Sequence, residues 1–285
     1  MLRKFIVIKR IIFDALGHYN DDDGWAMASH VALSTLMALF PFLIFAGTLA
    51  SFLGAETFAE TAVHLIFDTW PEKIRAPLAQ EVRNVLTVQR GGLLTISILA
   101  AAYFAASGIE ALRVALNRAY REKETRSLIF RRLQSIGFVL VAAIGMAAIS
   151  ILLVLAPLAM RIAESWMPWI EPYAGTIAVW RYLIAVVVLI GGLLAVHFWL
   201  PDGKRPFVLI LPGIVLTLVA WVASAMIFAT YLERFANYFS TYAGLASIVI
   251  ALVFLYIVAA IFIVGAEINA AINLYAESRK RLTRR

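Results

Sequence analysis

Six stretches of this chain are apolar enough to leave water altogether, and that feature decides what it can fold into. A hydrocarbon core of about 30 Å, at 1.5 Å per residue, calls for about 20 mostly apolar residues in a crossing helix. The runs near 25–53, 136–160, 180–200, 207–231 and 244–268 have that length. The run at 93–107 is shorter, but its helical pattern continues with a polar face to residue 120. Inside hydrocarbon every backbone N–H and C=O must be satisfied internally, so helices and closed barrels are the only spanning solutions. A barrel requires period-two alternation, which these runs lack. The expected fold is all-α: a polytopic transmembrane helical bundle with six spanning helices filling residues 25–275. Residues 1–24 precede it and a basic tail, 276–285, follows.

Composition points the same way. Hydrophobic residues make up 62% and charged residues 15% of the 285 residues, where soluble domains carry about 45–50% and 25%. Mean hydropathy is +0.86. With no cysteine, disulfides, thiolate metal sites and cysteine nucleophiles are excluded. The net charge of +7 needs no nucleic acid to explain it, because of where the charges fall. Of the 25 Lys and Arg, 18 lie in one set of alternate compartments and 7 in the other. The positive-inside rule assigns the 18 to the cytoplasm, which puts both termini inside.

The flanking segments have readings of their own. In residues 1–20, Arg3, Lys4, Lys9 and Arg10 interleave with apolar residues at three- and four-residue steps, an amphipathic interfacial helix rather than a cleavable signal. One of residues 20–23 is expected to cap the next helix. Residues 54–90 place Ile74, Leu78, Val82 and Val85 on one face, as amphipathic exterior helices do. Trp166, Trp169, Tyr173 and Trp180 suit the headgroup level. Pro201-Asp202-Gly203-Lys204-Arg205-Pro206 reads as a tight turn that makes an antiparallel hairpin of its neighbours.

Polar groups near hydrocarbon mark candidate sites. Ser107, Glu110, Arg113 and Asn117 fall within about 120° of helical arc, one stripe on one face. Glu110 can pair with Arg113, and Arg113 can reach Asn117. Such a stripe either lines a cavity open to the cytoplasm or packs on cytoplasmic loops. Near the end of the last run, Gly265, Asn269 and Asn273 share a face while Glu267 points away from it. Glu267 is expected at the inner boundary, or within the bundle with Arg113 or another inner-side base as its partner. Pro41, Pro212 and Gly213 are candidate helix breaks of the kind that adjoin transporter binding sites, and are equally common in static membrane helices. His18, His30, His64 and His197 read as scattered, with no carboxylate or second histidine at ligand spacing. No phosphate loop, nucleophile elbow or zinc-protease helix is present. No catalytic residue, metal or cofactor is therefore expected.

Four motifs together resemble the YihY/BrkB family of bacterial inner-membrane proteins. They are Ala38-Leu39-Phe40-Pro41, the decapeptide from Ala111 to Tyr120, Pro212-Gly213, and Gly265-Ala266-Glu267-Ile268-Asn269. Their order and spacing match over roughly residues 10–275. The chain departs from the family pattern at Leu33-Ser34 and at Tyr242-Ala243-Gly244, as a divergent branch would. The resemblance implies six helices, an inner-membrane location and no settled activity. The family's old ribonuclease label is a misassignment, in keeping with the missing metal ligands. The expected function is transporter-like or lipid-handling, with membrane lipids as partners and a lipid-like or anionic substrate. A structural scaffold is the alternative, and a membrane-embedded enzyme the remote one.

Overall fold

The computed structural model describes residues 2–52, 94–150, 152, 153, 156, 160, 166–239 and 243–283. Seven α-helices are seen among them: α1 (Leu2–Asp21), α2 (Gly24–Phe52), α3 (Leu94–Ala119), α4 (Leu128–Ser150), α5 (Ala174–Trp199), α6 (Phe207–Phe239) and α7 (Ala243–Thr283). A 3-10 helix, Pro168–Tyr173, leads into α5. No strand occurs among the described residues. Among the described residues, five stretches are long and apolar enough to cross a membrane: Leu99–Ala119, Leu128–Met146, Ala174–Trp199, Phe207–Glu233 and Ile248–Ser278. Helix α2 carries a shorter apolar stretch, Gly24–Leu39, within its 29 residues. The exterior segment 54–90 lies outside the described residues.

The bundle is assembled around α7, which packs against α1, α2, α3 and α6. Lipid tails are as apolar as leucine, so association in a membrane depends on close backbone approach. Small residues supply it: Ala111, Ala115 and Ala119 are buried at four-residue steps on α3, and Ala259, Ala266 and Ala270 are buried at steps of seven and four on α7. The tightest approach joins α6 to α7. A Cβ at Gly213 would strike the Gly265 carbonyl and come within 2.6 Å of the Asn269 side chain. One at Gly265 would strike the Thr217 hydroxyl and lie 2.9 Å from the Gly213 carbonyl. Large apolar side chains such as Leu140, Val141 and Ile144 on α4, or Val219, Val222 and Met226 on α6, point outward. That surface suits hydrocarbon.

Several expectations need correcting. Helix α6 is not interrupted at Pro212-Gly213, and α2 runs through Pro41. Pro212 is the sixth residue of α6, where few turns precede it and its missing donor has little helix to bend. Helix α4 starts at Leu128, eight residues before the expected run at 136, so Arg131 and Arg132 belong to the helix. Helix α7 has 41 residues, about 60 Å long, and so projects well past a 30 Å core.

Other features appear as the sequence suggests. Helix α3 is one helix to Ala119, and 201–206 is a tight turn with Gly203 at φ +85°. A left-handed residue there favours glycine. Trp166, Trp169, Tyr173 and Trp180 are all exposed around the start of α5. Helix α1 leaves Ile6, Ile8, Ile12, Phe13 and Leu16 exposed while burying Ala15 and Tyr19, so its apolar face suits an interface and a narrow stripe docks it. Between α1 and α2, Asp23 at φ +56° accepts the Met27 N–H through its carbonyl (3.0 Å).

Candidate functional site

Buried polar side chains gather at one end of the bundle. That end is marked by contacts between distant segments: Asp14 with Arg121 (2.9 Å), the Asp22 carbonyl with Arg118 (3.2 Å), and Asn117 with the Asp202 amide (2.7 Å). The start of the chain, the arginine-rich segment after α3 and the 201–206 turn therefore lie together.

Arg113 is the centre of the first group, only 1% exposed. Its Nη1 donates to Glu110 at 2.5 Å, the pair expected from i,i+3 spacing. Its Nη2 donates to the Arg131 carbonyl (2.9 Å), the Ser135 hydroxyl (2.8 Å) and Gln134 (3.2 Å). Ser135 in turn donates to Glu110 at 3.1 Å. Arg113 therefore ties α3 to the first turns of α4 and does not reach Asn117. Its fork is largely satisfied, with Nε alone unpartnered.

Asn117 serves a second group. Its amide nitrogen donates to Glu124 (2.9 Å), and its oxygen accepts the Asp202 N–H. Arg126 forms a two-point pair with Glu124 (2.7 and 2.8 Å) and donates to the Leu200 carbonyl (2.9 Å). Thr125 gives both its N–H (2.8 Å) and its hydroxyl (2.6 Å) to Asp202. Burial pushes the Glu124 carboxyl up, but hydrogen bonds from Arg126 and Asn117 outweigh it and hold it below the usual range. The Thr125 bonds hold Asp202 down at about 2 from an ordinary 3.8. This latch fastens the α3–α4 connection to the α5–α6 turn.

The latch should be acid-sensitive in a defined direction. A carboxyl harder to protonate folded than unfolded stabilises fully above its ordinary range, and that contribution is lost as pH falls. The latch holds down to about pH 4 and loosens as pH falls from there toward about 2, the folded value of Asp202. Hydrogen exchange at the Thr125 amide should report this, and Asp202→Ala should speed that exchange at neutral pH and abolish the acid step. Equal exchange in variant and wild type would show that the bond carries nothing.

A third group lies between helices. Tyr120 and His197 meet at 2.8 Å (OH to Nδ1), Asn269 donates to the Tyr120 oxygen at 3.3 Å, and the Gly213 N–H donates to the Asn269 oxygen at 2.7 Å. Asn269 spends its oxygen on Gly213 and offers its amino group to Tyr120, and the tautomer of His197 decides whether Tyr120 donates to Nδ1 or accepts from it. Among the described residues, the buried His197 Nε2 has no hydrogen-bond partner, nor has the Thr217 hydroxyl on α6. Arg205 lies over the Tyr120 ring, 4.2 Å from its centroid.

The fourth group overturns a reading of the sequence. Glu267 is 1% exposed, and its partner is neither Arg113 nor another strong base but His18 of α1, with Nδ1 3.3 Å from Oε1 and 3.2 Å from Oε2. Asp22 completes it, 3.6 Å from the same nitrogen. His18 therefore is not isolated: Asp22 follows it by one helical turn, a spacing visible in the sequence, and Glu267 arrives from 249 residues away.

The candidate residues thus divide among four neighbouring groups. Glu110 and Arg113 share one, while Asn117, Asn269 and Glu267 each belong to another. Ser107 turns back to the Tyr103 carbonyl of its own helix (2.8 Å). Asn273 is half-buried and makes no side-chain hydrogen bond among the described residues. Ser135, Tyr120, His197, Asp202 and Arg205 were missed. Only His197, a polar residue within an apolar run, carried a local signal.

Comparisons with known proteins agree with this architecture. The sequence profile of the family described as virulence factor BrkB matches residues 15–285. A ribonuclease-like protein of Bacillus subtilis (strain 168), YfkH, is 28% identical over 270 residues, covering 94% of this chain and 96% of that protein. A UPF0761 membrane protein of Rhodospirillum centenum is 22% identical over 268 residues, covering 92% of this chain and 57% of its own length. No solved structure matches. A helical membrane bundle whose family profile covers nearly every residue leaves one assignment: the chain belongs to the BrkB family of integral membrane proteins.

Proposed function

We propose that this protein is a transporter-like or lipid-handling protein of the bacterial inner membrane, acting on an anionic or amphiphilic solute from a polar layer at its cytoplasmic end. One observation carries the reading. Apolar spans bury Arg113, His197, Thr217, Glu267 and Asn269, costly groups that a purely structural bundle has no need of. Among the described residues, four of them keep a polar atom that makes no hydrogen bond: Arg113 Nε, His197 Nε2, Thr217 Oγ1 and Glu267 Oε2. The positive-inside rule puts both termini in the cytoplasm. Supporting that sidedness, the segments on the basic side of the count, including residues 14–22, 118–126 and 202–205, touch one another at one end.

The absence of cysteine makes the test clean. Single variants Ser107→Cys, Asn273→Cys and Lys123→Cys are treated with a charged, membrane-impermeant thiol reagent, in intact cells and in inverted vesicles. A water-filled route from the cytoplasm predicts labelling of all three in inverted vesicles alone. If Lys123→Cys reacts while the other two variants stay protected, the polar layer is sealed packing and the scaffold reading takes its place. Labelling of Lys123→Cys in intact cells would reverse the topology.

A further inference from the structure

We infer that His18, Asp22 and Glu267 form a binding site for a divalent transition-metal cation, of which Zn²⁺ fits the donors best, and that the cation pins the N-terminal helix α1 to α7. The inference does not depend on the solute proposed above.

The geometry is the first argument. The ligand atoms of the three side chains all lie within 4.8 Å of one another. Donors bound tetrahedrally to zinc at about 2.0–2.1 Å stand about 3.4 Å apart. Two of the three edges are already near that value, 3.2 Å from His18 Nδ1 to Glu267 Oε2 and 3.6 Å from Nδ1 to Asp22 Oδ2. Only the carboxylate–carboxylate edge has to close. Asp22 is about a third exposed and His18 about a quarter, so the open side admits a cation and water as the fourth ligand.

The second argument is independent of spacing. The Glu267 side chain is only 2% exposed, yet its Oε2 accepts no hydrogen bond, although His18 Nδ1 stands 3.2 Å away. A buried carboxylate oxygen left without a donor is costly, and a cation in front of it would remove that cost. The donor set then narrows the cation. One imidazole and two carboxylates suit a borderline ion such as Zn²⁺, whereas Ca²⁺ and Mg²⁺ prefer oxygen shells. Binding through Nδ1 requires that nitrogen to be unprotonated, its proton moving to Nε2.

Tag-free, full-length protein in detergent, stripped with chelator, is titrated with Co²⁺ as the spectroscopic probe and with Zn²⁺ in calorimetry. One equivalent per chain is expected, with tetrahedral Co²⁺ absorption that Zn²⁺ displaces and Ca²⁺ does not. Asp22→Asn is the decisive variant, since a partly exposed turn residue can change without threatening the fold. It should weaken binding at least tenfold, as should His18→Gln, while His30→Gln on exposed α2 surface should not. Zn²⁺ should also raise the melting temperature of wild type and leave that of Asp22→Asn unchanged. No saturable one-to-one binding, or affinity unaffected by both Asp22→Asn and His18→Gln, overturns the site.

Discussion

Gly213→Ala should destabilise the protein by about 3 kcal/mol, although the change adds one methyl group. The new carbon would fall on the backbone carbonyl of Gly265, which cannot rotate aside as a side chain would. Helices α6 and α7 would have to separate, and overpacking of that kind costs about 1–3 kcal/mol. Separation would also break the 2.7 Å bond from the Gly213 N–H to Asn269, worth about 1 kcal/mol. The loss should spread, because Asn269 holds Tyr120 and Tyr120 holds His197. Thermal unfolding in detergent gives the magnitude, and Gly191→Ala on α5, where a Cβ meets nothing within 4 Å, is the control. Equal melting temperatures for the two variants would show that α6 and α7 do not meet as described.

Arg113→Leu should cost about 3 kcal/mol, and Arg113→Leu with Glu110→Leu distinctly less than the single change. Removing one member of a buried pair leaves the other without compensation, typically a loss of about 3–5 kcal/mol. Glu110 is about a third exposed and keeps Arg131 Nη1 at 3.8 Å and the Ser135 hydroxyl at 3.1 Å, so its charge stays partly compensated and the lower figure applies. The double change removes both charges and restores apolar packing; Gln134 keeps its bond from Arg126 and the Arg131 carbonyl its bond from Ser135, while Arg131 loses its 3.8 Å ion pair with Glu110. Arg113→Lys should not rescue, because a single ammonium cannot reproduce a fork that points one arm at Glu110 and the other at α4. A double-mutant cycle on unfolding free energy measures the coupling. Strict additivity would mean that the pair is incidental.

How much of this was legible beforehand depended on the kind of information involved. The Glu110–Arg113 pair could be anticipated because both ends sit on one helix, where the screw repeat fixes their separation. Asn117 lies on the same stripe, yet the expectation that it meets Arg113 failed. Arg113 had better-placed acceptors on α4, and Asn117 had the backbone of the 201–206 turn within reach. Glu267 was legible as a costly carboxylate, while its partner was not. His18 lies in a different helix, and nothing in the sequence says how far α1 is rotated when it docks. Asn269 was legible as one face of α7, but its bond to Gly213 depends on two glycines standing opposite each other.

The sequence by itself determined that this chain forms apolar helices of membrane-spanning length, that α3 continues past its apolar part, and that basic residues are distributed unequally between alternate connections. Those properties are local and additive: hydropathy sums along a run, and charge can be counted. Only the tertiary structure decided which polar atoms meet. Partners such as His18 with Glu267, Tyr120 with His197 and Gly213 with Asn269 are fixed by helix rotation and depth to within an ångström. No sum over neighbouring residues contains that quantity.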